Sequence, residues 1–254
     1  MSYAPSTDLL KNKTILVTGA TDGIGRVAAK TYAAHGATVI LLGRRTDALE
    51  LIYDEIIEAG YPEPGIVVLD LATQDISELQ QLGDVILERY GRLDGLLHNA
   101  SILGDRVPVE TYDLNTWAKV MQVNFTNVCY LTRILMPLLR LAPNASVIFT
   151  SSGVGATPRA YWGAYSVSKY AMEGFAKLLA EEVENASDIR VNILNPGGTR
   201  TKMRAAAFPN EDPNTLIRAE TLMPLYLYLI SNDCEENGQT FDRKWPGLVQ
   251  LNGG

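Results

Sequence analysis

Short apolar runs rich in β-branched residues alternate with longer segments of helical periodicity along this chain. The runs predict strands at 14–17, 37–42, 65–69, 93–97, 146–150 and 189–194, and the segments between them predict helices at 26–34, 47–59, 76–90, 116–141 and 165–184. Strands that are apolar almost throughout are typical of a parallel sheet covered on both faces. With right-handed crossovers, the pattern predicts an α/β fold, a single doubly wound parallel sheet with helices on both faces. Because no repeat or linker interrupts it, we expect one domain over residues 1–254.

The composition narrows the possible functions. Hydrophobic residues make up 46% of the 254 residues, which supplies a core and excludes disorder for most of the chain. The chain has 22 Lys and Arg against 29 Asp and Glu, and its net charge of −7 argues against a nucleic-acid partner. Two cysteines and two histidines are too few for a disulfide framework or a His-rich metal site, so no metal is expected.

The hydropathy of the sequence predicts neither a signal peptide nor a membrane helix. Residues 1–13 lack the apolar core of a signal peptide, and no stretch has the length and apolar character of a membrane helix. The nearest candidate, 120–139, is interrupted by Asn124, Asn127 and Arg133. We therefore expect a cytoplasmic protein without a membrane partner.

A glycine-rich loop from 18 to 25 joins the first predicted strand to the first helix. Glycines at positions 19, 23 and 25 allow a tight turn and a close approach of the helix to the sheet. The free N–H groups and the positive dipole at a helix N-terminus favour a phosphate. The loop predicts the pyrophosphate site of a Rossmann-type dinucleotide domain. Taken alone, it is also compatible with an ordinary surface turn.

The end of the second strand indicates which dinucleotide binds. A domain that prefers NAD places a carboxylate there for the ribose hydroxyls, but this strand ends in Gly43-Arg44-Arg45. Two guanidiniums suit the 2′-phosphate of NADP(H), which Arg binds through charge-assisted and often bidentate hydrogen bonds. The alternative is a solvated basic pair at the start of a surface loop.

A tyrosine and a lysine lie four residues apart on the helix after the fifth strand. At this spacing Tyr165 and Lys169 share a helix face. A nearby ammonium stabilises phenolate, so we expect it to lower the pKa of Tyr165 and make the phenol a general acid or base. Ser152 follows the fifth strand, at the sheet edge where ligands bind in such folds. Alone, the pair is also explained by a solvated helix face, and the serine by a turn or cap.

Together these motifs resemble the short-chain dehydrogenase/reductase family over nearly the whole chain. Residues 18–25 match its Thr-Gly-x-x-x-Gly-x-Gly loop, 98–101 correspond to its Asn-Asn-Ala-Gly segment with changes at the first and last positions, and 195–199 match its loop beside the nicotinamide. Within the family, segments 94–99, 195–205, 208–213 and 223–227 resemble the bacterial YciK-type oxidoreductases.

The resemblance implies the residues of the site. It assigns catalysis to Asn124, Ser152, Tyr165 and Lys169. The glycine loop, the arginine pair and the resemblance together predict these contacts for NADP(H): Gly19, Thr21, Asp22, Gly23, Ile24, Gly25, Arg44, Arg45, Asp70, Leu71, Asn99, Ala100, Ser101, Tyr165, Lys169, Pro196, Gly197, Thr199 and Thr201.

The implied reaction is hydride transfer between the nicotinamide of NADP(H) and a small-molecule carbonyl or alcohol. Ser152 donates a hydrogen bond to the carbonyl oxygen, Tyr165 supplies the proton and Lys169 holds the nicotinamide ribose. The resemblance assigns to Asn124 the water that restores the proton. A catalytically silent NADP(H)-binding sensor is the alternative, but such a protein is expected to have lost part of the catalytic trio.

The segment after Pro196 predicts a substrate lid around 197–218. Together with Tyr161 and Trp162 it suggests a mixed apolar and basic pocket, and three basic residues remain open as ligand contacts or as solvated charges: Arg200, Lys202 and Arg204. His98 follows a buried strand, so we expect a packed core imidazole with one satisfied nitrogen.

Two helices carry apolar residues around much of their circumference, which is typical of helices buried on several sides. In 165–184 these are Val167, Tyr170, Ala171, Gly174, Phe175, Leu178 and Leu179, and in 116–141 they are Phe125, Val128, Tyr130, Leu131, Ile134, Leu135 and Leu138. Such a patch is unusual for a monomer, and members of the family commonly pair through these helices. We therefore expect a symmetric homodimer or homotetramer.

Overall fold

Seven parallel strands form one sheet within residues 3–247, the part of the chain that this computed structural model describes. The strands are β1 (Thr14–Thr18), β2 (Thr38–Gly43), β3 (Gly65–Val68), β4 (Gly95–His98), β5 (Ser146–Thr150), β6 (Arg190–Asn195) and β7 (Thr240–Asp242). Their order is β3-β2-β1-β4-β5-β6-β7, and every neighbouring pair is parallel. The strand order reverses between β1 and β4, and ligands bind at the carboxyl ends of the strands at such a switch point.

Helices cover both faces of the sheet, which confirms the predicted doubly wound fold. They are α1 (Gly23–Ala34), α2 (Thr46–Glu58), α3 (Ile76–Tyr90), α4 (Leu114–Met121), α5 (Asn127–Arg140), α6 (Gly153–Ala156), α7 (Gly163–Glu184), α8 (Lys202–Ala207) and α9 (Met223–Ile230). Neighbouring strand residues such as Ile15 and Leu16 point to opposite faces. Ile15 packs in the cluster under α1, α2 and α9, and Leu16 in the cluster under α3, α5 and α7.

The predicted helix at 116–141 is present, but its middle turn is widened. Residues Gln122–Thr126 form a π-helical turn between α4 and α5. Such turns are frequent at functional sites. This one carries Asn124, which is 1% exposed, so the widening occurs at a predicted site residue.

Four elements lie outside the sequence predictions: the short helices α6 and α8, the helix α9 and the strand β7. The strand β7 is only three residues long and pairs with β6 at the sheet edge. Helix α9 has Pro224 in its first turn and buries six of its eight side chains against the rest of the fold. A helix that is apolar all round has no amphipathic periodicity for a sequence to show.

Among the helices of the described chain, none combines the length and the apolar character needed to cross a membrane. The predicted domain boundaries, residues 1 and 254, lie outside the described residues, and the single domain stays a prediction.

Candidate active site

The glycine-rich loop packs against the end of β4. The Thr18 hydroxyl accepts hydrogen bonds from the N–H groups of Asn99 (3.0 Å) and Ala100 (3.1 Å). A Cβ at Gly19, where φ is 69°, would lie 2.9 Å from the Ala100 Cα. A Cβ at Gly25 would overlap the Gly19 carbonyl oxygen. Only glycine fits at both positions, and Gly19, which lines the cavity without a side chain, leaves the space that a pyrophosphate needs.

The arginine pair lies between β2 and α2, exposed and lining the same cavity as the loop. A Cβ at Gly43 would lie 2.7 Å from the Thr21 Cγ2, so the end of β2 lies against the loop. The Arg45 Nη2 donates to the Thr21 carbonyl at 3.4 Å. Asp70, after β3, accepts a hydrogen bond from the Ala72 N–H (2.9 Å). Two guanidiniums beside the loop suit a 2′-phosphate.

The end of β5 and the first two turns of α7 bring the catalytic candidates together. Ser152, Tyr165 and Lys169 all line the cavity. Tyr165 is 7% exposed and Lys169 is 2% exposed. The Lys169 Nζ donates to the Thr150 carbonyl at 2.7 Å and lies 5.8 Å from the centre of the Tyr165 ring. The strand end therefore holds the ammonium beside the tyrosine.

Burial controls the protonation of this pair. It raises the pKa of Tyr165 above its ordinary value, and a hydrogen bond with Ser152 partly offsets the rise. The sequence predicted that Lys169 would lower the Tyr165 pKa; this direction is wrong, because burial disfavours the charged phenolate. Burial also lowers the pKa of Lys169 to about 8, against an opposing contribution from the Glu173 carboxylate. Both groups therefore carry their protons at neutral pH.

Asn124 holds two parts of the site in place from behind. Its Oδ1 accepts from the Ile102 N–H (2.8 Å), and its Nδ2 donates to the Ile102 carbonyl (2.9 Å) and to the Ser168 Oγ (3.1 Å). The Ser168 hydroxyl in turn donates to the Tyr165 carbonyl (2.8 Å). Asn124 thus joins the segment after β4 to the turn of α7 that carries Tyr165 and Lys169.

His98 is the packed imidazole that the sequence predicts. It is 3% exposed, its ring stacks on Phe149 at 4.9 Å, and its Nε2 lies 2.8 Å from the Thr132 Oγ1. The Thr132 hydroxyl donates to the Val128 carbonyl (2.7 Å), so it accepts from the Nε2–H of His98. The other nitrogen, Nδ1, has no partner within residues 3–247. Burial lowers the pKa of His98 to about 3.

The predicted lid is a loop whose two ends are joined. Thr199 forms a parallel bridge with Ile217, and the Arg200 N–H donates to the Ile217 carbonyl (2.9 Å). Thr201 caps α8 by accepting from the Arg204 N–H at 3.1 Å. The segment between the bridge residues places α8 at the cavity, where Met203, Arg204 and Ala207 form part of the wall.

Each basic residue of this segment has a protein partner. The Arg200 Nε donates to the Pro213 carbonyl at 2.7 Å, and Arg200 does not line the cavity. The Lys202 Nζ lies 2.9 Å from the Asp22 carboxylate, which itself caps α1. Arg204 binds Glu211 through two nitrogens, each 2.6 Å from a carboxylate oxygen. Lys202 and Arg204 line the cavity, and each is paired there with a carboxylate.

The predicted residues meet in one cavity of about 580 Å³. All of the predicted catalytic and cofactor residues line it except Gly25 and Asn124. Gly25 permits the contact between α1 and the loop, and Asn124 acts through its hydrogen bonds. Within residues 3–247, no group of three or more His, Cys, Asp or Glu side chains is placed to hold a metal ion.

Several residues of the site were missed by the sequence analysis. Ser168 and Glu173 follow Tyr165 by three and eight residues on α7 and are buried beside the pair, so helical spacing could have indicated them. Leu103 lines the cavity. Arg106 does not line it but stacks on the ring of Trp162, which does. No local pattern marks Leu103 or Arg106, because they lie in an irregular segment between β4 and α4.

A Rossmann-type sheet with this loop and this Ser, Tyr and Lys arrangement defines a class of dinucleotide-dependent oxidoreductases. Residues 13–212 match the family described as short chain dehydrogenase. The chain therefore belongs to the short-chain dehydrogenase/reductase family.

Its relatives refine this placement. The chain is 48% identical over 254 residues to the oxidoreductase YciK of Escherichia coli K12, covering 98% of this chain and 100% of that protein. It is 50% identical to a crystallised short chain dehydrogenase of Escherichia coli CFT073 complexed with NADPH, with a TM-score of 0.91 over 94% of this chain and 99% of that chain. It is 48% identical to one of Shigella flexneri 2a complexed with NADP, with a TM-score of 0.91 over 94% and 100%. The resemblance to the family and to its YciK-type members is confirmed.

Proposed function

We propose that this protein is an NADP(H)-dependent oxidoreductase that transfers a hydride between the nicotinamide and a carbonyl or alcohol substrate. The observation that carries the proposal is the convergence of Ser152, Tyr165 and Lys169 on the cavity that also contains the glycine-rich loop. A proton donor and a dinucleotide cradle therefore share one site.

The residues present fit NADP(H). The exposed backbone at Gly19 and the N-terminus of α1 suit the pyrophosphate, and Arg44 and Arg45 suit the 2′-phosphate. The crystallised relatives from Escherichia coli CFT073 and Shigella flexneri, complexed with NADPH and NADP, support the same cofactor here. When bound, the nicotinamide gives or accepts the hydride.

The chain supplies orientation and the proton. In the direction of reduction, the Ser152 hydroxyl donates a hydrogen bond to the substrate carbonyl oxygen, and the Tyr165 phenol donates its proton to the same oxygen as negative charge develops. Because burial raises the pKa of Tyr165, the phenol enters the reaction protonated. Lys169 places a positive charge beside the phenolate that forms. Asn124 holds Ser168, in the helical turn between Tyr165 and Lys169. The water that Asn124 would bind to restore the proton stays a prediction.

A silent NADP(H) sensor is the second candidate function. It would need the cofactor cradle but not a buried phenol beside a serine at the end of β5. The 7% exposure of Tyr165, on the wall of the cofactor cavity, favours the enzyme, because a sensor gains nothing from a proton donor there.

Turnover of a carbonyl panel with NADPH by Tyr165→Phe and wild-type protein tests the proposal. The substitution removes the proton donor and keeps the ring, so kcat should fall by about a hundredfold to ten-thousandfold. The affinity for NADPH, followed by its fluorescence, should change little. Equal turnover in the two proteins would refute the mechanism, and no wild-type turnover in either direction would favour the sensor.

The cofactor assignment has its own test. Titration should show wild-type protein binding NADPH at least about tenfold more tightly than NADH, because hydrogen bonds to charged groups contribute about 1.5–3 kcal/mol. Arg44→Ala should remove most of that difference. Arg89→Ala, an exposed arginine of α3 outside the cavity, is the matched control and should preserve it. Equal wild-type affinities for the two cofactors would refute the assignment.

A further inference from the structure

The part of the cavity next to Tyr165 is walled by apolar side chains. Leu103, Trp162, Met203 and Ala207 line it. They pack with Tyr165 and two residues behind them in one buried cluster. We name the apolar members of this cluster the apolar wall: Leu103, Val154, Trp162, Met203, Ala207 and Phe208. The wall lies where the body of a substrate must extend from a carbonyl held by Ser152 and Tyr165.

Two arginines stack on aromatic rings of the apolar wall and are engaged by the protein. The Arg204 guanidinium binds Glu211 through two nitrogens and lies 3.8 Å from the centre of the Phe208 ring. The Arg106 guanidinium lies 4.5 Å from the Trp162 ring and 4.9 Å from the Phe208 ring, and its Nη1 donates to the Ala207 carbonyl. Arg204 is thus paired within the lid, whereas Arg106, which does not line the cavity, stacks on the apolar wall and links the segment after β4 to the lid.

We propose that the substrate is an uncharged ketone, or the corresponding secondary alcohol, whose aromatic or alicyclic body lies against the apolar wall. The proposal rests on the proposed function and names its substrate class. A carboxylate on that body would lose its water beside an Arg204 guanidinium that is already paired with Glu211, which is costly for a buried charge. A flat ring instead buries apolar area against the apolar wall, which includes Trp162.

The test compares acetophenone with its para-carboxylate as substrates with NADPH. Wild-type protein should reduce acetophenone with a kcat/KM at least about tenfold higher, the discrimination expected when a buried charge finds no partner. Acetophenone should also quench tryptophan fluorescence in the presence of NADP, and Trp162→Phe should remove that quenching. This binding signal does not depend on turnover.

The matched variant is Glu211→Gln, which releases the Arg204 guanidinium from its carboxylate. It should raise kcat/KM for the para-carboxylate about tenfold while that for acetophenone changes less than threefold. A wild-type preference for the carboxylate would overturn the substrate class and leave the oxidoreductase standing. Absence of turnover with every carbonyl and alcohol would instead overturn the proposed function itself.

A second observation, independent of the pocket, concerns a buried carboxylate on α7. Glu173 is 9% exposed and accepts a hydrogen bond from the hydroxyl of Ser151, which is 3% exposed. Tyr165, Lys169 and Glu173 follow one another at four-residue spacing, so they form one stripe along the helix. A carboxylate this deeply buried is costly unless hydrogen bonds or a nearby cation compensate its charge.

Glu173 acts at the same strand end as the catalytic residues. Thr150 binds Lys169 through its carbonyl, Ser151 binds Glu173, and Ser152 is the proposed hydrogen-bond donor to substrate. The ionisable groups that act on Lys169 are Tyr165 and Glu173, which lie on the same helix, and His98, which lies at the end of β4. Burial lowers the pKa of His98, which keeps its ring neutral at neutral pH, whereas the Glu173 carboxylate acts to raise the pKa of Lys169.

We infer that Glu173 is a positioning residue, whose carboxylate keeps Lys169 protonated and holds Ser151, and with it Ser152, in place. Because an opposite charge favours the protonated ammonium, removing it lowers the pKa of Lys169. The consequence is a change in the pH at which the Tyr165–Lys169 pair loses a proton, which a purely structural role does not predict.

The test measures the pKa of Lys169 directly, by NMR titration of carbon-labelled lysine with the Lys169 signal assigned from Lys169→Arg. Glu173→Gln keeps the shape and the acceptor for Ser151, and it should lower this pKa by about one unit. The alkaline limb of the kcat/KM profile should move to lower pH by a similar amount. Glu173→Asp keeps the charge and should restore both values to within a few tenths of a unit. An unchanged Lys169 pKa in Glu173→Gln would overturn the inference.

Discussion

At the scale of single residues, His98 shows how burial determines a protonation state. Burial lowers its pKa from 6.5 to about 3, while the unfolded chain keeps a histidine pKa near 6.5. Between these values the unfolded state binds one more proton, so stability is lost as the pH falls below about 6.5. Through this group, the free energy of unfolding should fall by about 1.4 kcal/mol for each pH unit from 6 to 4. Urea unfolding of His98→Gln should show a pH slope shallower by that amount, and an identical slope would contradict the prediction.

At the scale of elements, the contact of α1 with the glycine-rich loop depends on one glycine. A Cβ at Gly25 would overlap the Gly19 carbonyl oxygen, so Gly25→Ala must push α1 and the loop apart. Overpacking of this kind costs about 1–3 kcal/mol, and we expect that loss in urea unfolding together with weaker NADPH binding. Lys30→Ala, which removes an exposed ion pair between α1 and Glu55, should change stability by less than about 1 kcal/mol and leave binding intact. Wild-type stability and NADPH affinity in Gly25→Ala would show that the loop tolerates a side chain.

At the scale of the whole molecule, the outer faces of α5 and α7 bear on the predicted assembly. Most of the α5 residues invoked for an interface lie in the core, which corrects that part of the sequence argument: Val128, Leu131, Leu135 and Leu138 are at most 5% exposed. Tyr130 remains exposed on α5, as do Val167, Tyr170 and Leu178 on α7, with 42–57% of their surface accessible. We still predict a homodimer or homotetramer through these faces, because they form an exposed apolar stripe.

Light scattering should report at least twice the chain mass of 27.8 kDa for the wild-type protein. Leu178→Glu, at 57% exposure, should reduce this to a single chain, because the interface would have to bury an unpaired charge. Leu51→Glu on α2, at a matched 56% exposure on another helix, should leave the assembly unchanged. A single-chain mass for wild-type protein at micromolar concentration would exclude the predicted oligomer.

The sequence alone determined the sheet, the helices around it and the positions of the reacting groups. Strand and helix periodicity is local, so eleven elements could be predicted within a few residues. The short elements α6, α8 and β7 and the uniformly apolar α9 have no such periodicity and were not predicted. The glycine loop, the arginine pair and the Tyr165–Lys169 spacing are also local patterns in the sequence. The residues that they predict line one cavity, with the exception of Gly25.

Only the tertiary structure decided what those groups contact. Ser151 and Glu173 are 22 residues apart in sequence, and Lys202 meets Asp22 from the other end of the chain, so no local pattern encodes either pair. The direction of the Tyr165 pKa shift was wrong from sequence for the same reason: spacing reveals a neighbouring lysine, but not the burial of the phenol that raises its pKa. Desolvation depends on every segment that covers a residue, and those segments come together only in the folded chain.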